Sequence, residues 1–421
     1  AELEGLEGHR RAVRIRLNSE FRIQNSESRI QNSEAQNSEL KTQNSELKTH
    51  RSTAQKLESS KAQHPGFKDY EIDVTRLIRP NILNLEPYHS AREKIQEGIL
   101  LDANENPYSQ EWEGVQLNRY PDPFQRRLRE AIARYLGVKV ENVAAGAGSD
   151  EVLDWIFKVF CRPEQDRIAI AEPTYGMYRV TANVFGIPSF EFRLDKSFDF
   201  NAKQFLKVVS DDAKVLFLCS PNNPTGNLLD RRQIFHLCRK WKGIVVVDEA
   251  YIEFADQPSL VMELQEVPNL ILLRTLSKAF GRAAIRLGYA VASAQIISHF
   301  LRVKAPYNLN ALSLENGCRV LSQPARQLVH VEETRKERER VAECLREIPR
   351  IEEVFPSQAN FLLFRCPGAT QICKRLLQKG IVVRDRSLLP GLKNCIRVSI
   401  GISSENDLFL CELQRIVKGI L

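Results

Sequence analysis

The stretch Gly243–Tyr251, GIVVVDEAY, decides the fold. Four apolar residues, three of them valine, run without alternation, so the segment reads as a strand buried on both faces. The run stops at Asp248, which places a carboxylate at the edge of an apolar core. Such a group is costly unless a cation meets it. Tyr251 follows three residues later and presents its hydroxyl beside the same place. Outward from this stretch, Arg167–Ala171 (RIAIA), Val215–Cys219 (VLFLC) and Leu270–Leu273 (LILL) repeat the pattern, each bounded by a polar or proline-containing turn. Val143–Ala147 reads as a further short strand running into glycine. Helical stretches alternate with them: Ser149–Phe160, with Ser149 or Asp150 as its expected N-cap, and Arg231–Lys242. The prediction is an α/β fold, a mostly parallel sheet sandwiched by helices in a large domain.

After about Ser313 the pattern changes. A long charged helix, Gln327–Ile348, precedes the strand-like segments Phe361–Phe364, Ile381–Arg384 and Ile396–Ser399. These predict a second, smaller α+β domain. The expected organisation is a leader over 1–68, an N-terminal arm and part of the small domain over 69–115, the large domain over 116–312 and the small C-terminal domain over 313–421. In the leader QNSE recurs at Gln24, Gln31, Gln36 and Gln43, and Ser38–Thr49 (SELKTQNSELKT) holds a near-perfect tandem heptapeptide. Its Gln, Asn, Ser and Glu bury too little surface to offset chain entropy, so the leader is predicted to be low-complexity and without a packed core.

Composition excludes several function classes. The 421 residues carry a formal net charge of +7 with no dense Lys/Arg block, which gives no sign of nucleic-acid binding. The basic run Thr334–Arg340 (TRKERER) is interleaved with Glu and reads as a solvated helix face. Nine scattered cysteines, without a C-x-x-C pair, predict reduced thiols in the cytoplasm. No Cys/His cluster has metal-ligand spacing, and no apolar run is long enough to span a membrane.

The chemistry-bearing residues fall at the C-terminal ends of the inferred strands, where ligands bind in open α/β sheets. Ala145–Glu151 (AGAGSDE) is a glycine loop entering a helix, and its backbone N–H groups, with Ser149 and Asp150, suit a phosphate. Ser220–Gly226 (SPNNPTG) is a rigid turn that can aim the Asn223 amide at a ligand oxygen. Leu273–Arg286 (LRTLSKAFGRAAIR) places Lys278 in a turn after an apolar strand, where a neutral amine can condense with an aldehyde. Arg286 follows eight residues on, with the chemistry of a phosphate partner. Pyridoxal phosphate satisfies all of these groups at once. Its phosphate takes the glycine loop, Ser277 and Arg286, its phenolic oxygen Asn223 and Tyr251, its ring nitrogen Asp248 and its aldehyde Lys278.

These motifs closely resemble the histidinol-phosphate aminotransferase branch of the fold-type I pyridoxal-phosphate-dependent transferases. SPNNPTG, VDEAYIEF and RTLSKAFG carry the resemblance, with LEPYHSAR, LDANENPY, NRYPDP, EPTYGMY, APYNLN, VVRD and IRVSIG. It covers the chain from about Asp69 onward. It implies transamination between L-histidinol phosphate and 2-oxoglutarate, giving imidazole-acetol phosphate and L-glutamate in histidine biosynthesis. It further implies that Tyr175 stacks on the cofactor ring and that Tyr120 reaches the cofactor phosphate of a neighbouring subunit in a homodimer with shared sites. Arg397 would bind the carboxylate of glutamate, and Arg384 and Tyr88 would assist with the substrate phosphate. The neighbouring readings are an aromatic aminotransferase and a threonine-phosphate decarboxylase. A cofactor-binding transcription regulator would need an N-terminal helix-turn-helix, which the leader does not offer. Three positions depart from the family pattern: Arg282 and Ala284 within KAFGRAAIR, and Ala147 in the glycine loop. Arg282 is a candidate extra cation for a phosphorylated substrate.

Overall fold

A computed structural model describes residues 72–88, 91–93, 98–109, 111–112 and 114–419, so the leader lies outside the described residues. The arm carries a two-strand ribbon, β1 (Glu111–Trp112) and β2 (Val115–Gln116). The apolar runs then form a seven-stranded sheet. Its strands are β3 (Val143–Ala147), β4 (Arg167–Glu172), β5 (Ser189–Arg193), β6 (Ala213–Cys219), β7 (Ile244–Asp248), β8 (Leu270–Thr275) and β9 (Leu287–Ala292). They lie in the order β3-β9-β8-β7-β6-β4-β5. The pairs among β8, β7, β6, β4 and β5 are parallel, whereas β9 runs antiparallel to both β3 and β8.

Alternation along each strand explains why both faces are apolar. Ile168, Ile170, Val215, Phe217, Val246 and Ile271 belong to one core, with Trp155, Phe160 and Phe300 from the helices Ser149–Phe160 and Ala294–Val303. Ala169, Leu216, Leu218, Val245, Val247 and Leu272 point the other way, onto Leu128, Ile132, Ile234 and Leu237 of the helices Arg126–Leu136 and Arg231–Lys240. Each fully buried branched side chain contributes roughly 1.5–3 kcal/mol, so no single strand face can be turned to solvent.

A second, four-stranded antiparallel sheet follows in the order β10-β11-β13-β12: β10 (Glu353–Val354), β11 (Phe361–Arg365), β12 (Arg384–Asp385) and β13 (Cys395–Ser399). Its own core joins Phe364, Ile396 and Val398 to the helices Ala325–Glu347, Ala369–Gln378 and Ser403–Lys418. The strand expected over Ile381–Arg384 is shorter and shifted. Ile381 N–H bonds to Leu376 O at the end of the preceding helix, which holds the chain off the ladder until Arg384.

The basic run of the long helix is less solvated than its charge suggests. Arg338 is buried and donates to Ala359 O at 3.1 Å and Phe254 O at 3.5 Å. A guanidinium satisfies two loop carbonyls there, while Glu337, Arg340 and Asn406 form a network beside it. Among the described residues no helix is long and apolar enough to cross a membrane, and no group of His, Cys, Asp or Glu is placed to hold a metal.

Candidate active site

The loop 276–286 joins two neighbouring antiparallel strands, β8 and β9. Its ends close through the Thr275–Gly288 register and Leu276 N–H to Leu287 O at 3.0 Å. Lys278 and Arg286, at opposite ends of the loop, therefore face one cavity. The Lys278 amine lies 5.6 Å from the centre of the Tyr251 ring. Its pKa is lowered, first by desolvation and then by Arg397, with Arg286 adding to this and Asp248 opposing it. These surroundings favour the neutral amine that condensation requires.

Asp248 ends β7 and is 5% exposed. Burial pushes its carboxyl up to about 6, against the pull of two hydrogen bonds. Tyr178 Oη donates to Oδ2 at 2.8 Å and Ala250 N–H to Oδ1 at 3.0 Å. Among the described residues no cation pairs with it. Tyr251 is buried beside it, and desolvation raises its phenol above the ordinary value. Tyr175 packs edge-on against Tyr178 with ring centres 5.5 Å apart, its hydroxyl 3.4 Å from Asp150 Oδ1.

The glycine-loop end of the cavity lies where β3 meets β9. Gly146 pairs with Gly288, and a Cβ on Gly288 would stand 2.2 Å from Ser149 N. Gly148, at φ +79°, is the true N-cap of the helix Ser149–Phe160, with no side chain bonding the first turn. The expected cap at Ser149 or Asp150 is thus one or two residues late, for a physical reason. A capping oxygen would occupy the very N–H groups that a phosphate needs. Arg286 sits at φ 50°, a left-handed conformation uncommon for its type, with Nη1 3.5 Å from Ser277 Oγ and Nη2 3.5 Å from Asp150 Oδ2. A Cβ on Gly148 would meet Arg286 Nη2 at 2.5 Å.

At the far side β12 and β13 contribute guanidinium groups. Arg397 Nη1 donates to Asn223 Oδ1, and its guanidinium lies 5.3 Å from the Phe361 ring centre. Arg384 stands directly across the ladder from Arg397. Arg386 joins them, its Nε buried without a hydrogen-bond partner. Among the described residues none of the three forms an ion pair with a carboxylate.

One cavity of about 560 Å³ collects these groups: Ser149, Asp150, Tyr175, Asn223, Asp248, Tyr251, Ser277, Lys278, Arg286, Arg384 and Arg397 all line it. Tyr88 and Tyr120 do not. Tyr88 is 77% exposed on the arm, and Tyr120 is 52% exposed and stacked on Tyr307 at 4.5 Å. Arg282 is also absent from the lining; its Nη1 lies 3.4 Å from Gly281 O. Ala284 faces a separate depression shared with Trp112, and Ala147 N–H is taken by Glu151. Sequence reasoning missed Tyr178, Arg386, Thr275 and Cys219. Two of these carried a signal: Tyr178 lies three residues beyond Tyr175 in the same motif, and Arg386 lies two residues beyond Arg384 in an extended segment. A larger cleft of about 1150 Å³, lined by Asp73, Ala213, Lys214, Trp241, Lys242 and Gly243, opens near the N-terminal ends of β6 and β7. It gathers no convergent acid–base set, and ligands in such sheets bind at the carboxyl ends.

The residues present fit pyridoxal phosphate. Asp248 is a buried carboxylate that, among the described residues, forms no ion pair, and a protonated ring nitrogen would supply one. Lys278 is a lysine shifted toward the neutral amine. Gly148, Ser149, Ser277 and Arg286 form a cradle in which a Cβ at Gly148 would clash.

Comparison with known proteins points the same way. Residues 83–412 match the family described as aminotransferase class I and II. A curated histidinol-phosphate aminotransferase from Parabacteroides distasonis is 44% identical over 340 residues, covering 80% of this chain and 97% of that protein. The histidinol-phosphate aminotransferase structure from Clostridium acetobutylicum superposes with a TM-score of 0.67 at 27% identity, over 72% of this chain and 92% of the other. The Sinorhizobium meliloti enzyme, solved in complex with pyridoxal-5'-phosphate, shares the fold with a TM-score of 0.67 at 24% identity, over 72% and 84% of the two chains.

Proposed function

The chain belongs to the histidinol-phosphate aminotransferases of the class I and II aminotransferase family, and from that premise we propose that it moves the amino group of L-histidinol phosphate to 2-oxoglutarate. The products are imidazole-acetol phosphate and L-glutamate, a step of L-histidine biosynthesis. The observation that carries this reading is a single cavity holding Asp248, Lys278 and Arg384, Arg386 and Arg397, three arginines that form no ion pair with a carboxylate among the described residues.

Pyridoxal phosphate, when bound, supplies an aldehyde that condenses with amines and a ring that draws electrons from the adjacent carbon. Asp248 holds a proton at the ring nitrogen. Lys278 Nζ would be the amine that holds the cofactor and the base that moves the proton at the substrate α-carbon; its lowered pKa keeps the neutral amine available for both tasks. Asn223 and Tyr251 orient the phenolic oxygen. Gly148, Ser149, Ser277 and Arg286 would hold the cofactor phosphate and Tyr175 would cover its ring, while Asp150 meets both Arg286 and the Tyr175 hydroxyl. Arg397 and Arg384 meet the distal anion, which is a phosphate in one half-reaction and a carboxylate in the other. Planar guanidinium forks suit both.

The active unit is a homodimer with shared sites. Ile99, Leu101, Tyr108 and Trp112 of the arm are 92%, 87%, 86% and 61% exposed, an apolar surface that a second copy would cover. Tyr88 on the same arm, and Tyr120 just beyond it, would then reach the partner's cavity. Nine free cysteines, five of them buried, suit a reducing cytoplasm.

The absorbance of the purified holoenzyme tests the reading. Addition of L-histidinol phosphate should shift the cofactor band, 2-oxoglutarate should restore it, and Lys278→Ala should abolish turnover. Reaction with phenylalanine or threonine phosphate, but not with L-histidinol phosphate, would reject it.

A further inference from the structure

Three guanidinium groups stand together on the small sheet because of its register. Arg384 pairs directly with Arg397, and Arg386 N–H continues the ladder to Cys395 O at 2.8 Å. Side chains two apart on a strand share a face, so Arg384, Arg386 and Arg397 all turn toward the cavity, and all three line it. Asp385, between them, turns away and accepts from Ser387 N–H at 2.8 Å and from the hydroxyls of Ser387 and Thr370. It neutralises none of them through an ion pair. Like charges opposite one another across a ladder are unfavourable, so the arrangement needs an anion.

The charges also bear on which anion. A carboxylate carries one negative charge and two acceptor oxygens. A phosphate monoester carries nearly two charges and three oxygens. Arg397 is already engaged with Asn223 through Nη1 and lies over Phe361, whereas the Arg386 Nε is buried and has no acceptor. Two forks satisfy a carboxylate; the third matches the second charge of a phosphate.

We propose that Arg386 is the specificity-determining residue of the cavity, binding the second negative charge of a phosphorylated amino donor that Arg384 and Arg397 hold by the first. This rests on the function proposed above and names the group that separates the two half-reactions. Arg282 supplies no such cation, since it does not line the cavity.

The test compares holoenzymes of the wild type, Arg386→Gln and Arg386→Lys. For Arg386→Gln, kcat/KM with L-histidinol phosphate should fall about tenfold or more relative to the fall with glutamate. Arg386→Lys should recover part of the loss. Inorganic phosphate, competing with glutamate, should inhibit Arg386→Gln at least about fivefold more weakly than it inhibits the wild type. Equal losses with both donors, or an unmoved phosphate inhibition constant, overturn the proposal. If Arg386→Gln does not fold, Arg386→Lys decides by the same two ratios, at smaller size. A wild type inert toward L-histidinol phosphate rejects the function above, while phosphate inhibition still decides the role of Arg386.

Discussion

Tyr178 Oη donates to Asp248 Oδ2 at 2.8 Å, and both side chains are buried. The carboxylate proposed to face the cofactor ring is therefore held from behind by a phenol outside the cavity lining. The hydrogen bond stabilises the ionised form and works against the burial that pushes Asp248 up to about 6. In Tyr178→Phe the donor is lost, and the carboxyl titrates higher. The acid limb of the kcat–pH profile should move toward neutrality by about one unit, with kcat at pH 7 reduced about twofold. An unchanged acid limb would remove Tyr178 from this positioning role.

Cofactor-free protein should reveal the cost of keeping Asp248 ready. Its folded pKa is raised from 3.8 to about 6, so the folded state binds the extra proton within that window. The sign follows: stability falls as pH rises from about 4 to about 6, by up to about 3 kcal/mol. Asp248→Asn removes the titration. In urea unfolding of the apo forms, Asp248→Asn should gain on the wild type between pH 4.5 and 7.5 while losing transaminase activity. A difference in stability that does not change with pH would count against the buried, unpaired carboxylate.

Much of this site was legible in the sequence, and the rest was not for identifiable reasons. Asp248, Lys278 and Asn223 each follow an uninterrupted apolar run, so the end of a buried strand and the polar group behind it are read together. The antiparallel β9 was not foreseen. LGYAVA opens with Leu-Gly directly after the charged turn RAAIR, and nothing local distinguishes an antiparallel return from another parallel strand. That omission hid why Arg286 and Lys278 meet, since both depend on the β8–β9 closure. Tyr178 was not singled out within EPTYGMY, because its partner lies 70 residues away. Arg386 needed the register of β12 against β13, which only long-range pairing supplies. The positions of Tyr88 and Tyr120 were readable as motifs, yet the described chain leaves both exposed and outside its own cavity.

At Gly288 backbone geometry, not a functional group, shapes the turn proposed to hold the cofactor phosphate. A methyl there would stand 2.2 Å from Ser149 N and 2.5 Å from Gly148 C, both backbone atoms that cannot rotate aside. Gly288→Ala must push the phosphate turn away from β9. Overpacking of this kind costs about 1–3 kcal/mol. Pyridoxal phosphate affinity, read by equilibrium dialysis, should weaken at least about tenfold. Full affinity with only a lowered melting temperature would mean that the turn relaxes without losing its cradle.

Shared active sites can be tested by mixing two defective subunits. Lys278→Ala removes the amine from its own cavity, while Tyr120→Ala removes a side chain that would serve the partner's cavity. In a mixed dimer one site receives both defects and the other receives neither. Random reassembly of equal amounts makes half of the dimers mixed, so about a quarter of all sites should be intact. Activity should therefore rise above the average of the two separate variants after dissociation and reassociation. Exposure of Tyr120 and its stacking on Tyr307 leave the ring presented outward for this purpose. If Tyr120 served only its own chain, each intact lysine would sit beside a missing tyrosine, and mixing would restore nothing.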